Sequence, residues 1–494
     1  MLEETDSVFY IYTISDLHMN LFLYQQLAKT LEESIRAGSL KYGDKLPSVR
    51  TTSRQRGVSP STVFQAYYEL EAKGLIEARP KSGYYVRFNK SIYGNRSYVV
   101  EQNLSPQITQ LDTAAIVDEL EGLRDNTSIL RLSSAYPATS LLPSARIQKA
   151  IIEATRMNKE SLLHYGSPQG NLDLRSLIGK QMLEWGNYYS PADMLITTGC
   201  MEALNLCLRA VTRAGDIIAM DQLTYFGIAQ MVENLGLKVV SIPIHPEKGF
   251  DIDFLQKAIT TFNLKACLSI TNFNNPTGTS ISSENKEKLV GLLSHHQIPL
   301  IEDDIYGELY FGPKRPATCK QYDKEGWVMY CSSFSKTLAP GFRVGYCLPG
   351  RFLTEVVRQK RIHSISSDTL SQLALLHFLQ KGRYTHHLRK LRLALYQQAL
   401  QYAQCIKESF PAETRFVMPE GGMVFWLGFP ASFDGYQLFS RARKEDIGIS
   451  PGQVFSSDGV FKNYIRLSFS HPFTRKIEEG LHQVGHLARK LLPG

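Results

Sequence analysis

Leu23, Leu27, Leu31 and Ile35 recur every fourth position along FLYQQLAKTLEESIRA, an apolar stripe that predicts an amphipathic helix over residues 22–37, stopped by Gly38. Pro47-Ser48 breaks the pattern and supplies an N-cap for a short helix, 49–56, which Gly57 ends. Another helix follows at once, with Ser59 as cap and Pro60 at its first position, where a missing N–H costs nothing. Val63, Ala66, Tyr67 and Leu70 share one of its faces, so Ser61, Thr62 and Gln65 point away from the core. After Gly74, two β-type runs, LIEAR and YYVRF, flank PKSG. Helix, helix, tight turn, helix and hairpin compose a winged helix-turn-helix.

The pattern then lapses. Residues 89–128 are polar, with one apolar patch (98–100) and one helix expected near 113–124, and read as a partly ordered linker. From 129 onward, short apolar runs alternate with helical patterns: DMLITTG, DIIAMD, KVVSIPI, KACLSIT, IPLIEDD, WVMYCSS, RVGYCLP. That alternation predicts an α/β unit with a mainly parallel sheet. The expected organisation is a head over 1–88 (core about 20–88), a linker over 89–128 and a body over 129–494.

Charge sharpens the picture of the head. The net charge is +8, yet residues 20–90 hold 12 Lys/Arg against 6 Asp/Glu, so +6 of it sits there. A basic face of this kind is either solvated or turned toward a polyanion. The seven cysteines lack C-x-x-C spacing and lie mostly in apolar segments, as reduced core thiols do, and no zinc site or disulfide framework is indicated. No apolar run reaches a membrane span, and the acidic N-terminus is unlike a signal peptide, so a cytoplasmic protein is expected, with no membrane partner.

In parallel sheets, ligands sit at the carboxyl ends of strands, and five strand ends here carry polar chemistry. Gly199-Cys200-Met201 opens a helix whose backbone N–H groups and dipole face any anion placed there, although such turns are common. Tyr225 offers a flat ring or is a core residue; Asn275 in NPTG is an amide donor or part of a plain turn; Asp303 with Tyr306 is a carboxylate and phenol pair or a helix cap. Last, SSFSKTLAPGFRVGY gathers Ser333, Lys336 and Arg343. Near the C-terminus, YIRLSFS is a strand with Arg466 on the face opposite Ile465, Leu467 and Phe469, either solvated or aimed at a carboxylate.

Two resemblances add to this reading. LPSVRTTSRQRGVSPSTVFQAYYELEAKGLIEARPKSGYYV resembles the DNA-binding domain of the GntR family. This implies a recognition helix from Ser59 to Lys73, with Ser59, Ser61 and Thr62 near the DNA, Arg50 reaching from the preceding helix, and Lys81 with Gly83 in the wing. Pro60 replaces the arginine of many relatives and removes one contact; Thr52-Ser53 replaces a Leu-Ala pair, which predicts a less well packed second helix. The body, about 129–494, resembles the fold-type I pyridoxal-phosphate enzymes of the class I/II aminotransferase superfamily through NPTG, D-D-x-Y and S-F-S-K-x-x-x-P-G-x-R-x-G in that order.

That resemblance implies pyridoxal 5'-phosphate as cofactor and a role for each strand end. Lys336 forms the Schiff base, Asp303 pairs with the pyridinium nitrogen, and Tyr306 and Asn275 hydrogen-bond the phenolic oxygen. Tyr225 stacks on the ring, with Leu223 standing where many relatives have proline. Arg343, Ser333 and the backbone N–H groups of Cys200 and Met201 take the phosphate, with Tyr165 lent by a second subunit. Arg466 grips an α-carboxylate. A GntR-like head on such a body is the arrangement of the MocR subfamily of bacterial regulators. It implies a domain-swapped homodimer that binds double-stranded promoter DNA and senses the cofactor, or an amino acid or amine that forms an aldimine with it. The alternatives are an active aminotransferase with a DNA-binding head and a cofactor-free scaffold.

Overall fold

Caps set the head's helix ends. In this computed structural model, α1 spans Leu23–Arg36, α2 Val49–Arg56 and α3 Pro60–Ala72. The Ser48 hydroxyl accepts from the Thr51 N–H, Gly57 ends α2 in the left-handed region at φ 65°, and the Ser59 hydroxyl accepts from the Thr62 N–H. Leu27, Leu31 and Ile35 of α1 pack with Val63, Ala66, Tyr67 and Leu70 of α3, whereas Leu23, at the predicted start of the stripe, is exposed. Strands β1 (Ile76–Arg79) and β2 (Gly83–Val86) form the antiparallel wing, with Ile76 opposite Val86.

The expectation of a loosely packed α2 is corrected here. Thr52 is buried, its hydroxyl lies 2.8 Å from that of Tyr67, and the Tyr67 hydroxyl donates to the Pro47 carbonyl at 2.9 Å. Ser53 Oγ donates to the Val58 carbonyl at 2.7 Å. A hydroxyl chain replaces aliphatic contact, and each of its buried members has a partner.

The described residues are 22–36, 39–40, 43–79, 82–87, 105–109, 114–122, 128–186, 188–245, 249–456 and 460–492. They fall into two units divided between residues 89 and 90. In the second unit, a mainly parallel sheet runs in the order Ile108–Thr109, Lys238–Ile242, Ile217–Asp221, Leu264–Ile270, Leu300–Asp303, Val328–Ser333, Gly345–Leu348, Leu195–Thr197. The pairings among the five strands from Lys238–Ile242 to Val328–Ser333 are parallel; Gly345–Leu348 is antiparallel to both its neighbours. Apolar clusters cover both faces, one built on the helix Cys200–Val211 and another on helices Ile252–Thr261 and Ser283–His295.

Within the segment read as a linker, the strand Ile108–Thr109 pairs antiparallel with Val239 and Val240, so the chain joins the body's sheet edge well before residue 129. The helix Ala114–Glu121 buries Val117 and Leu120, and Glu119 bonds Tyr436 and Arg443. Toward the C-terminus, a smaller sheet places Tyr464–Ser468 between Val424–Gly428 and Ser450–Pro451, with the helix Gly435–Lys444 packed against Ser450–Pro451. All seven cysteines are buried free thiols. Among the described residues, no helix is long and apolar enough to cross a membrane.

Candidate functional site

At the carboxyl ends of the parallel strands lies a cavity of about 450 Å³, and the second unit supplies its whole lining. Asp303 ends the strand Leu300–Asp303 at its floor. Its Oδ1 accepts from the Ile305 N–H at 3.0 Å and from Cys200 Sγ at 3.4 Å. Burial pushes the Asp303 carboxyl up to about 6, so it is largely ionised at neutral pH. The same burial raises the Cys200 thiol, which stays protonated as a donor.

Lys336 reaches the cavity from the loop after Val328–Ser333. Its Nζ donates to the Ala135 carbonyl at 2.8 Å and sits 5.7 Å from the centre of the Tyr306 ring. The Tyr306 hydroxyl is bonded to the Asn275 side chain, and burial raises its pKa. Tyr225 caps the helix Phe226–Asn234 and lines the cavity, its ring 4.6 Å from that of Phe226. Leu223, standing in place of a proline, is buried, and its carbonyl accepts from Asn274.

The anion-facing end is built on one turn. Gly199 has φ 80° and ψ 175°, open to glycine alone, and a Cβ there would lie 2.5 Å from Arg343 Nη2. Arg343 is itself left-handed at φ 52°; it donates to Ser335 Oγ at 3.2 Å and to the Thr198 carbonyl at 3.3 Å. Cys200 and Met201 open the helix at the cavity wall. Ser335 lines this cavity, whereas Ser333 lines a separate one of about 560 Å³ on the other side of the loop. Tyr165 is 85% exposed and outside the chain's own cavity.

Opposite, Arg466 is buried on the central strand of the smaller sheet, which removes the solvated reading. Its Nη1 donates to Asn275 Oδ1 at 2.9 Å, and its Nη2 donates to Ser450 Oγ at 3.0 Å and to the Ser133 carbonyl. Its Nε is buried with no hydrogen-bond partner among the described residues, and burial lowers its pKa to about 10, so it remains a cation.

Sequence reasoning missed four contributors. Asp221, buried at a strand end, accepts from Ser269 Oγ, the Ile270 N–H and Asn274 Nδ2, tying the turn that presents Asn275; burial pushes it up to about 7. Its signal was a carboxylate closing the apolar run DIIAMD. Ser335 stood beside the lysine, and Leu120 and Glu121 bring the supposed linker to the cavity wall.

In the head, Arg50, Ser59 and Ser61 are exposed and Thr62 half-buried. Ser59 Oγ, the cap, lies 2.7 Å from the Ser61 hydroxyl and 2.8 Å from that of Thr62. Gly83 opens β2 at φ 108°; Lys81 lies outside the described residues.

Fold and site together define a winged-helix head joined to an aminotransferase-type body. The family model "Bacterial regulatory proteins, gntR family" matches residues 23–86, and "Aminotransferase class I and II" matches residues 128–484. The chain belongs to the MocR subfamily of GntR-family regulators and is a DNA-binding transcriptional regulator. It is 34% identical over 469 residues to YdcR, named an uncharacterized HTH-type transcriptional regulator of Escherichia coli (strain K12), covering 95% of this chain and 99% of that one. It is 28% identical to the HTH-type transcriptional regulator NorG of Staphylococcus aureus (strain USA300), covering 90% and 100%. Among solved structures, LysN, the alpha-aminoadipate aminotransferase of Thermus thermophilus complexed with N-(5'-phosphopyridoxyl)-L-leucine, superposes with a TM-score of 0.70 at 28% identity, over 76% of this chain and 95% of that one.

Proposed function

We propose that the body holds pyridoxal 5'-phosphate at Lys336 and that the regulator responds to this cofactor, or to an amino acid or amine that reacts with it. The observation that carries the reading is the convergence on one cavity of Lys336, Asp303, Arg343 and Arg466. The residues fit the group and an acidic effector beside it: a glycine cradle under Arg343, a helix N-terminus and a buried carboxylate for the cofactor, and an arginine Nε without a partner among the described residues for the effector. When bound, pyridoxal phosphate supplies an aldehyde for amines and a ring that withdraws electrons.

Each side chain then has a task. Lys336 supplies the amine that anchors the aldehyde, and Asp303 holds a proton on the pyridine nitrogen. Tyr306 and Asn275 bond the phenolic oxygen, and Tyr225 covers a ring face. Arg343, Ser335 or Ser333, and the backbone N–H groups of Cys200 and Met201 neutralise the phosphate. Arg466 receives the effector's carboxylate. Tyr165 completes the site from a second subunit of a domain-swapped, cytoplasmic homodimer. The head, 1–88, and the body, 129–494, are coupled through residues 89–128, part of which already packs on the body.

A second reading, amino-group transfer with turnover, is favoured by the joint presence of Asp303, Tyr306 and Arg466 in that cavity. Footprinting on a bound promoter fragment, with and without pyridoxal phosphate and a panel of amino acids, tests both. The regulatory reading expects a changed footprint and at most one equivalent of keto acid per site; continued release of keto acid with an acceptor present supports turnover. Lys336→Ala should bind DNA yet lose the borohydride-fixed label and the footprint change. A label on another lysine would sink the site map. Arg50→Ala should weaken DNA binding by about 1–3 kcal/mol.

A further inference from the structure

The outward face of α3 carries no charge. Ser61, Phe64, Gln65, Tyr68 and Ala72 recur at i, i+3, i+4, i+7 and i+11, and all are exposed. Phe64 is 54% and Tyr68 67% exposed, and neither ring stacks on another aromatic among the described residues. Singly exposed apolar side chains are ordinary; two aromatic rings one turn apart with an amide beside them, on the face turned from the core, form a surface.

Exposed cations stand on neighbouring elements of the head. Arg50, Arg54 and Arg56 of α2 and Arg87 after the wing are exposed and form no ion pair among the described residues. Charge on those elements and none on the strip is the division of labour of a DNA reader, in which cations take phosphates and neutral side chains meet base edges. Phe64 and Gln65 are the fifth and sixth residues of α3, within the two N-terminal turns that approach bases in helix-turn-helix docking. In the major groove, thymine alone presents a methyl group, which an aromatic ring can cover, and an amide can pair with adenine through N6 and N7.

We propose that the α3 strip reads an A·T-containing step in the major groove: the Phe64 ring packs on a thymine methyl, and the Gln65 amide bonds a neighbouring adenine. Tyr68, a turn further on, places its hydroxyl toward the groove wall. The inference rests on the DNA-binding assignment and adds base preference to it.

The test uses the full-length protein. Duplexes are selected from a random-sequence pool at physiological salt by the parent, Phe64→Ala and Gln65→Ala. The parent should enrich a half-site containing adjacent thymine and adenine. Replacing that thymine by 2'-deoxyuridine removes only the methyl and should weaken the parent about fourfold, while Phe64→Ala should be indifferent to the swap. Gln65→Ala should lose about tenfold of its preference for adenine. Both variants should keep their non-specific affinity and its salt slope, because the arginines are untouched. A Phe64→Ala protein that still feels the missing methyl overturns the proposal. So does one with unchanged selection but altered self-association, which would make the strip a protein contact. If the parent enriches no sequence at all, the DNA-binding assignment fails with it.

Discussion

Asp221 decides more than its absence from any motif suggests. It is a buried carboxylate with three donors around it, and through Asn274 it holds the turn that brings Asn275 to Arg466. Its pKa, raised from 3.8 to about 7 mainly by burial, means that the folded body binds more protons than the unfolded chain between about pH 4 and 7. Stability from this group is therefore present at low pH and declines as pH rises through that window, by at most about 1.4 kcal/mol per pH unit. Asp303, raised to about 6, and Glu302, raised by burial, add slopes of the same sign, and His387 and His471, lowered by burial, add slopes of the opposite sign, so it is the difference between the parent and a variant over about pH 6 to 7 that isolates Asp221. Asp221→Asn should remove the part of the slope that Asp221 contributes there. Melting of cofactor-free protein across that interval checks it: the parent should lose stability relative to the variant as pH rises, and parallel curves would refute the assignment.

Elements explain why these residues meet. Gly199 joins a sheet strand to the helix that begins at Cys200, in a backbone region that costs other residues about 1–3 kcal/mol. Gly199→Ala should lower the body's melting stability by that amount, displace Arg343 and weaken pyridoxal phosphate binding about tenfold or more, measured by absorbance titration. Gly341→Ala, where a Cβ meets nothing within 4 Å and φ is not positive, should change neither. Much of this layout was legible in the sequence, because a parallel strand buried on both faces must be an apolar run and its polar closing residues then mark the ligand side. Asp303, Lys336 and Tyr225 stand out for that reason. The strand Ile108–Thr109 was not legible: two residues carry no period, and only the waiting edge at Val239 and Val240 makes them a strand. Thr52 misled for a related reason, since its burial depends on the Tyr67 hydroxyl, fifteen residues away. Ser335 and Ser333 cannot be separated by pattern, because the loop after the strand, rather than its alternation, decides which one faces Arg343.

At the scale of the whole molecule, the exposed Tyr165 tests whether two copies share a site. Our reading has it complete the phosphate pocket of a second subunit, so each site draws Lys336 and Arg343 from one copy and Tyr165 from the other. Two defects should then complement. A Lys336→Ala homodimer has no amine at either site, and a Tyr165→Ala homodimer lacks the phenol at both. In a heterodimer of the two variants, the Lys336→Ala subunit lends its intact Tyr165 to the Tyr165→Ala subunit, which still has Lys336. One site is thereby whole and the other lacks both. With tagged subunits co-expressed and purified as the mixed species, borohydride fixation at limiting pyridoxal phosphate should label one lysine per dimer at parental affinity. The Tyr165→Ala homodimer should label both sites, each at lower affinity by about tenfold for a lost charge-assisted hydrogen bond. If Tyr165 served its own subunit, the heterodimer would show only the weak affinity of the Tyr165→Ala homodimer; if it served no site, that homodimer would itself bind at parental affinity. Titrating the mixed species beside the Tyr165→Ala homodimer therefore separates a shared site from two independent ones, and it needs no knowledge of the effector or the operator.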